Sequence, residues 1–392
     1  MTADRPYDIV LFGATGFTGG LTAEYLAGHA DPGTRWALAG RSTAKLAEVR
    51  GRLARIDPAC AELPLLRADS SDQDSIDELA RSARVVVTTV GPYVEHGEPL
   101  VAACARAGTD YVDLTGEPTF VDRMYVKYHA EAVRTGARIV HACGFDSIPH
   151  DLGVYFTVKQ LPEGVPLRVE GFLRGRMGAS GGTFHSALGI FADVPGMVRA
   201  ERERRAAEDR PDGRTVRVSR RPSPQNRVGD GWTLPLPTID PQIVARSAAA
   251  LDRYGPDFGY GHYLAVKRLP TAAALAAGAG ALTVLAQIPP ARSLLMKIKP
   301  AGEGPSAETR ARNWFSVKFV GRGGGRRVVT EVTGGDPGYG ETAKMLGESA
   351  LCLARDALPE TSGQVTTATA MGDALLERLT RAGLSFRVLT SR

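Results

Sequence analysis

The sequence predicts an α/β fold: a doubly wound parallel sheet followed by a second domain of α+β type. Short apolar runs alternate with helix-period patterns through the first third of the chain, as βαβ units require. The first run, Ile9-Val10-Leu11-Phe12, passes directly into a glycine-rich turn and then into a helical pattern. Beyond Gly144 the alternation gives way to longer strand-rich segments, which suit an antiparallel sheet with helices on one side.

Taken in order, Asp8 to Phe12 reads as the first strand, with Leu21, Tyr25 and Leu26 marking the helix after it. Arg35 to Ala39 is the second strand, ending at Gly40 and Arg41, and its helix carries Leu46, Val49 and Leu53. Leu63 to Leu66 is the third. Asp69, Ser70 and Ser71 supply helix-start chemistry ahead of Ile76 and Leu79. Arg84 to Val90 is the fourth, stopped by Gly91 and Pro92. A helix with Leu100, Val101 and Cys104 leads to a fifth strand at Tyr111 to Leu114, and Arg138 to His141 is the sixth. In the second domain, strands are expected at Leu167 to Arg174, Thr215 to Val218, Trp314 to Val320 and Arg327 to Thr333. From Gly340 the helical period returns through Ala343, Leu346, Ala350 and Leu351, and the chain is expected to end in a helix around Met371 to Leu379. The implied domains are 1–145, 146–338 and a C-terminal piece, 339–392, packing back on the first.

At 392 residues, 43% apolar and 23% charged, the composition is that of an ordinary globular protein of two domains. The net charge of +5 owes much to a local arm with Arg202, Arg204, Arg205, Arg214, Arg217, Arg220 and Arg221. No aromatic residues interleave with it to stack bases, so nucleic-acid binding is not expected. Cys60, Cys104, Cys143 and Cys352 form no C-x-x-C pair and have no histidines at metal spacing, so neither a metal nor a disulfide framework is expected. Cys143 has no adjacent base that would make it a nucleophile. A polar, charged Met1 to Tyr7 leaves no room for a secretory signal before the first strand, which points to the cytoplasm.

The turn Gly13-Ala14-Thr15-Gly16-Phe17-Thr18-Gly19, set between strand and helix, is the dinucleotide-binding pattern of a Rossmann-type sheet. Gly13 permits the tight turn, Gly16 lets the pyrophosphate approach, and Gly19 packs helix against strand, with the helix dipole facing the phosphates. Where an NAD site commonly carries an acidic residue, this chain has Arg41 and Ser42. Arg41 can pair bidentately with a 2′-phosphate, so NADP(H) is expected over NAD(H). Asp69 either contacts the adenine edge or is only a helix cap. Gly91, Pro92 and Tyr93 end the fourth strand at the carboxyl edge of the sheet, beside the nicotinamide ribose.

These segments resemble the saccharopine dehydrogenase-like oxidoreductases. The likeness rests on Gly13 to Gly19, Ala39 to Ser42, Gly91-Pro92-Tyr93 with His96-Gly97, Gly108 to Glu117 and Gly144 to Pro149. It continues through Ser180 to Thr183 and Gly335 to Tyr339. It is closest to the branch of trans-acting enoyl reductases, and implies NADPH-dependent reduction of an α,β-unsaturated acyl thioester for a polyketide synthase that lacks its own reductase. Partners implied are the acyl thioester and, transiently, the synthase or an acyl carrier protein. The family name also leaves open a reductase of an imine or amino acid. A lipid-associated dinucleotide-binding protein without turnover is the reading from another class.

Enoyl reduction needs a proton for the α-carbon and a donor at the thioester oxygen, and Tyr93, His96 and Asp146 are the candidates. Packing on the cofactor, a solvated loop and helix capping at Asp146 or Ser147 are the competing roles. Ser180 to Thr183 reads either as a helix cap or as a substrate contact. The apolar segment 271–288 has Lys267 and Arg268 before it and Arg292, Lys297 and Lys299 after it. It leaves three roles open: a buried helix or hairpin, a greasy substrate mouth or membrane-surface contact, and a membrane span.

Overall fold

In the computed structural model, the residues described are 5–176, 193–209, 213–219, 231–288, 290–291, 294 and 304–391. Strands β1 (Tyr7–Phe12), β2 (Trp36–Gly40), β3 (Leu65–Arg67), β4 (Ala83–Thr88), β5 (Asp110–Val112) and β6 (Arg138–Val140) open the chain. Helices α1 (Phe17–His29), α2 (Thr43–Leu53), α3 (Gln73–Ser82), α4 (Tyr93–His96), α5 (Glu98–Ala107) and α6 (Pro118–Thr135) lie between them. Next come α7 (Ile148–Val158), β7 (Leu167–Arg176), α8 (Val194–Ala207), β8 (Thr215–Ser219), β9 (Trp232–Pro235) and α9 (Asp240–Ala250). The remainder comprises β10 (Asp257–Val266), α10 (Leu269–Ala286), α11 (Ala307–Ala311), β11 (Trp314–Gly323), β12 (Arg326–Gly334), α12 (Gly340–Arg355), β13 (Gly363–Val365), α13 (Thr367–Ala370), α14 (Gly372–Arg381) and β14 (Ser385–Ser391).

The chain divides into two compact units. The first comprises Met1–Phe145, Gly302–Gly304 and Tyr339–Leu379. Its sheet is parallel throughout, in the order β13-β6-β5-β4-β1-β2-β3. This is the doubly wound arrangement expected from the sequence, and the strand order reverses between β1 and β4, where such sheets take ligands. Strands β1, β2 and β4 are apolar runs because helices cover both faces. Local sequence sets the helix limits: the Asp72 side chain caps α3, and Gly108 (φ +65°) and Gly136 (φ +80°) end α5 and α6 in the left-handed region. Helix α12 packs on α1, where the Tyr25 hydroxyl donates to Glu348 at 2.6 Å. Arg378 of α14, buried, donates to Asp356, Glu348 and Asp31 and so ties α14 to α12 and to the loop after α1.

The second unit comprises Asp146–Ala301, Pro305–Gly338 and Thr380–Arg392. Its sheet order is β14-β12-β11-β7-β10-β8, with β9 paired to β10. The sheet is mixed, in contrast to the antiparallel one expected, because β10 inserts between β7 and β8 and runs parallel to both. Nor does the chain end in the helix around Met371 to Leu379: β14 follows and pairs antiparallel with β12. Helices α7 and α9 pack on each other and on strands of the sheet.

The apolar segment forms α10, an exposed helix in which only Ala272 and Ala286 are buried. It is not the buried helix that the sequence left open. Arg220, Arg221, Ser180 to Thr183, Arg292, Lys297 and Lys299 lie outside the described residues.

Candidate functional site

The first unit builds a glycine-rich cradle at the end of β1. The Gly13 amide donates to Ala39 O and the Gly16 amide to Gly13 O, both at 3.0 Å, so the turn folds back on the β1–β2 edge. Gly13 sits at φ +95°, where a side chain is strained. A Cβ at Gly19 would penetrate Gly13 O and stand 2.7 Å from Thr89 Oγ1, so glycine alone allows α1 this close to the strand. Gly16 is different: its φ of −78° is ordinary and a Cβ would meet only Gly13 O, at 3.4 Å. Thr15 and Gly16 are exposed, and no side chain caps α1. The helix therefore presents an uncapped positive end under an open glycine, which fits a dinucleotide pyrophosphate. Ala14 is buried beneath the turn, with Phe17 and Thr18 half-buried at its far side.

Arg41 is exposed just past β2 and makes no hydrogen bond or ion pair among the described residues. Ser42 caps α2, its Oγ accepting from the Lys45 amide at 3.3 Å. Asp69 forms a local turn, its Oδ1 accepting from the Ser71 amide and hydroxyl at 3.0 and 2.9 Å. The hydrogen bonds from Ser71 hold its carboxyl below the usual range, with Arg41 and Arg67 adding to the effect. Asp69 is thus not a helix cap, since Asp72 performs that task.

The loop after β4 is locked to the loop after β5. Glu117, buried, accepts from the Tyr93 and Val94 amides at 3.2 and 2.8 Å. The Tyr93 hydroxyl donates to Thr88 O and accepts from the Leu114 amide, each at 3.1 Å. Gly91 and Pro92 lead into this assembly through a cis peptide bond. Asp113, fully buried, accepts from the Tyr111 hydroxyl, His141 Nδ1 and the Thr115 and Ala142 amides at 2.6 to 3.0 Å. It thereby holds Ala142 at φ +59° in the turn that leaves β6. The Phe145 amide donates to Thr342 Oγ1 at 3.1 Å, and Tyr339 packs edge-on against Phe17 of the cradle at 4.8 Å. The roles of Glu117, Asp113 and Thr342 escape sequence reading because each also has a partner 23, 29 or 197 residues away.

Comparison with known proteins agrees with this geometry. The saccharopine dehydrogenase NADP binding domain family matches residues 9–140, which span the cradle and the first six strands. A trans-acting enoyl reductase of Mycobacterium ulcerans is 38% identical over 98% of both chains. A Mycobacterium tuberculosis protein whose name assigns it provisionally to the same activity is 41% identical over 99% of both. The chain belongs to the trans-acting enoyl reductase family. Apo saccharopine dehydrogenase from Saccharomyces cerevisiae shares the fold, with TM-score 0.57 and 12% identity over 98% of this chain and 100% of that one. The reductase is thus an NAD(P)-dependent oxidoreductase acting on a small-molecule substrate.

The three expected catalytic side chains differ in their surroundings. Tyr93 of this reductase is buried, and its hydroxyl is engaged in two hydrogen bonds that hold its own loop. Those two bonds tie the hydroxyl to the ends of its own loop. His96 is exposed at the end of α4, its Nε2 3.9 Å from Glu95. Asp146 is half-buried directly after Phe145, makes no hydrogen bond among the described residues, and is pushed up to about 6 by burial. Ser147 occupies the N-cap position of α7, yet its hydroxyl makes no capping bond. Cys143 is buried.

Proposed function

We propose that the chain reduces the double bond of an α,β-unsaturated acyl thioester with NADPH, in preference to NADH, acting in trans for a polyketide synthase in cytoplasmic lipid biosynthesis. The observation that carries this reading is the cradle itself, with Gly16 open, Gly19 without room for a Cβ, α1 uncapped and Arg41 uncommitted at the end of β2. Bound NADPH would supply hydride to the β-carbon of the enoyl group. Gly13, Ala14, Thr15, Gly16, Phe17 and Thr18 would hold its pyrophosphate, and Arg41 with Ser42 its 2′-phosphate. Asp69 would stand at the adenosine end, and Gly91, Pro92 and Tyr93 would wall the nicotinamide ribose.

Asp146 is the best-suited proton source for the α-carbon. A carboxyl titrating near 6 with no hydrogen-bond partner among the described residues keeps a protonated fraction at neutral pH. His96, exposed at the end of α4 after the Gly91-Pro92 turn, is the second choice. The names of the relatives support the enoyl substrate. The test is NADPH oxidation followed at 340 nm with a crotonyl thioester of N-acetylcysteamine, and, as the contrast, NADP+ reduction followed at the same wavelength with saccharopine. Turnover of the thioester alone is expected; turnover of saccharopine alone, or of neither, refutes the proposal.

The exposed apolar surface of α10, preceded by Lys267 and Arg268, supports contact with an anionic membrane surface. Flotation of the protein with phosphatidylglycerol vesicles, abolished by Leu275→Glu with Val284→Glu, checks that contact.

A further inference from the structure

The second unit gathers a set of side chains that the reduction does not use. His150 lies in the first turn of α7, Asp240 opens α9, and His262 shares one face of β10 with Tyr260, two residues before it. All three are buried, with exposures of 1%, 3% and 3%. Asp240 Oδ1 is 3.8 Å from His150 Nε2, and Asp240 Oδ2 is 3.6 Å from His262 Nε2. These separations exceed hydrogen-bond length, so the donor atoms face one another without satisfying one another. Asp240 Oδ1 has no hydrogen-bond partner among the described residues, although it is buried.

We propose that His150, Asp240 and His262 bind one divalent transition-metal ion of the zinc class. One ligand atom from each residue lies within 4.8 Å of the others. Tetrahedral zinc with bonds of about 2.0–2.2 Å sets its ligand atoms about 3.3–3.6 Å apart, so the imidazole–carboxylate separations of 3.8 and 3.6 Å need to close by a few tenths of an ångström and the widest pair of ligand atoms, within 4.8 Å, by about 1.2–1.5 Å at most. Two imidazoles and a carboxylate are a borderline N/O donor set, suited to Zn2+ and its neighbours rather than to Ca2+ or Mg2+.

The surroundings orient the rings for this role. The Tyr260 hydroxyl stands 3.3 Å from His150 Nδ1 and 3.1 Å from His262 Nδ1, so one oxygen engages the inner nitrogen of each ring and leaves both Nε2 atoms toward Asp240. Thr238, an exposed residue, places its Oγ1 3.1 Å from His262 Nε2 and marks the side nearest solvent. Asp146 and Asp151 are near enough to act on Asp240 electrostatically, which adds to the attraction for a cation. The ion would clamp α7 to α9 and β10 and so would stabilise the unit.

The full chain, dialysed against EDTA, is titrated with Co2+ alone while its visible d–d absorption is read, and Zn2+ is then added in competition. About one equivalent of Co2+, displaced by Zn2+, is expected. Asp240→Asn and His262→Gln are expected to lose the band, and Tyr260→Phe, which keeps the ring packing, to weaken binding by about 10–100-fold. No saturable band in the folded wild-type chain overturns the site. Unchanged Co2+ affinity in the folded variants does so as well. If the ligand variants fail to fold, Tyr260→Phe decides alone.

Discussion

Two glycines only three residues apart are expected to respond to alanine in opposite ways. In Gly19→Ala the new methyl would overlap Gly13 O and stand 2.7 and 2.8 Å from Thr89 Oγ1 and Gly13 C. Backbone atoms on the β1 turn cannot move aside as a flexible side chain would, so α1 must lift away from β1. Overpacking of this kind costs about 1–3 kcal/mol, and at about 2–4 °C per kcal/mol the melting temperature should fall by about 2–12 °C. In Gly16→Ala the methyl meets nothing closer than Gly13 O at 3.4 Å, and φ is −78°, so the apo protein should melt as wild type does. The same methyl stands at the exposed entrance of α1, where the pyrophosphate would come closest. A loss of about 1.4 kcal/mol or more, tenfold in affinity, is expected there. Differential scanning fluorimetry without cofactor, followed by NADPH titration of both variants, separates the two effects. Wild-type NADPH affinity in Gly16→Ala, or an unchanged apo melting temperature in Gly19→Ala, would refute the cradle argument.

Arg41→Ala should weaken NADPH by about 10–100-fold, the worth of one or two charge-assisted hydrogen bonds, and leave NADH unchanged; fluorescence titration with each cofactor checks it. Tyr93→Phe leaves Thr88 O and the Leu114 amide without their partner, so stability should fall by about 1–3 kcal/mol in urea while turnover persists. A turnover loss of about 100-fold or more with stability intact would identify Tyr93 as the proton donor. Arg378→Ala strands Asp356 and Glu348 against each other and should cost about 3 kcal/mol in the same assay. Asp146 is raised by burial to about 6 in the folded chain, so between its unfolded value near 4 and 6 the native state holds a proton that the unfolded state does not. Its contribution therefore favours folding below about pH 4 and is lost as pH rises through 6. Asp146→Asn should flatten that slope in melting curves and, if Asp146 is the proton donor, remove the decline in turnover above pH 6.

What sequence could and could not reveal follows from how far each constraint reaches along the chain. The cradle was legible because its demands are local. A turn at φ +95°, a helix packed on its own preceding strand and an open N-terminus all fall within Gly13 to Gly19. Asp146 was visible as a candidate for the same reason, being attached to a motif, although only the structure reveals the burial that raises its carboxyl and the lack of a hydrogen-bond partner among the described residues. Tyr93 shows the opposite case. Its position after a Gly-Pro turn suggested chemistry, whereas the two bonds that occupy its hydroxyl come from the ends of β4 and β5, which periodicity cannot align. Strand β10 escaped because Gly259 and Gly261 interrupt its pattern. Yet β10 inserts between β7 and β8, makes the second sheet mixed and carries His262 to within reach of a helix that begins more than 100 residues earlier. Spacing rules for metal sites test ligands that are neighbours in sequence, so a triad from α7, α9 and β10 passes through them unseen. The second unit is therefore where sequence reading loses most, and a metal titration there tests a claim that no local pattern could have raised.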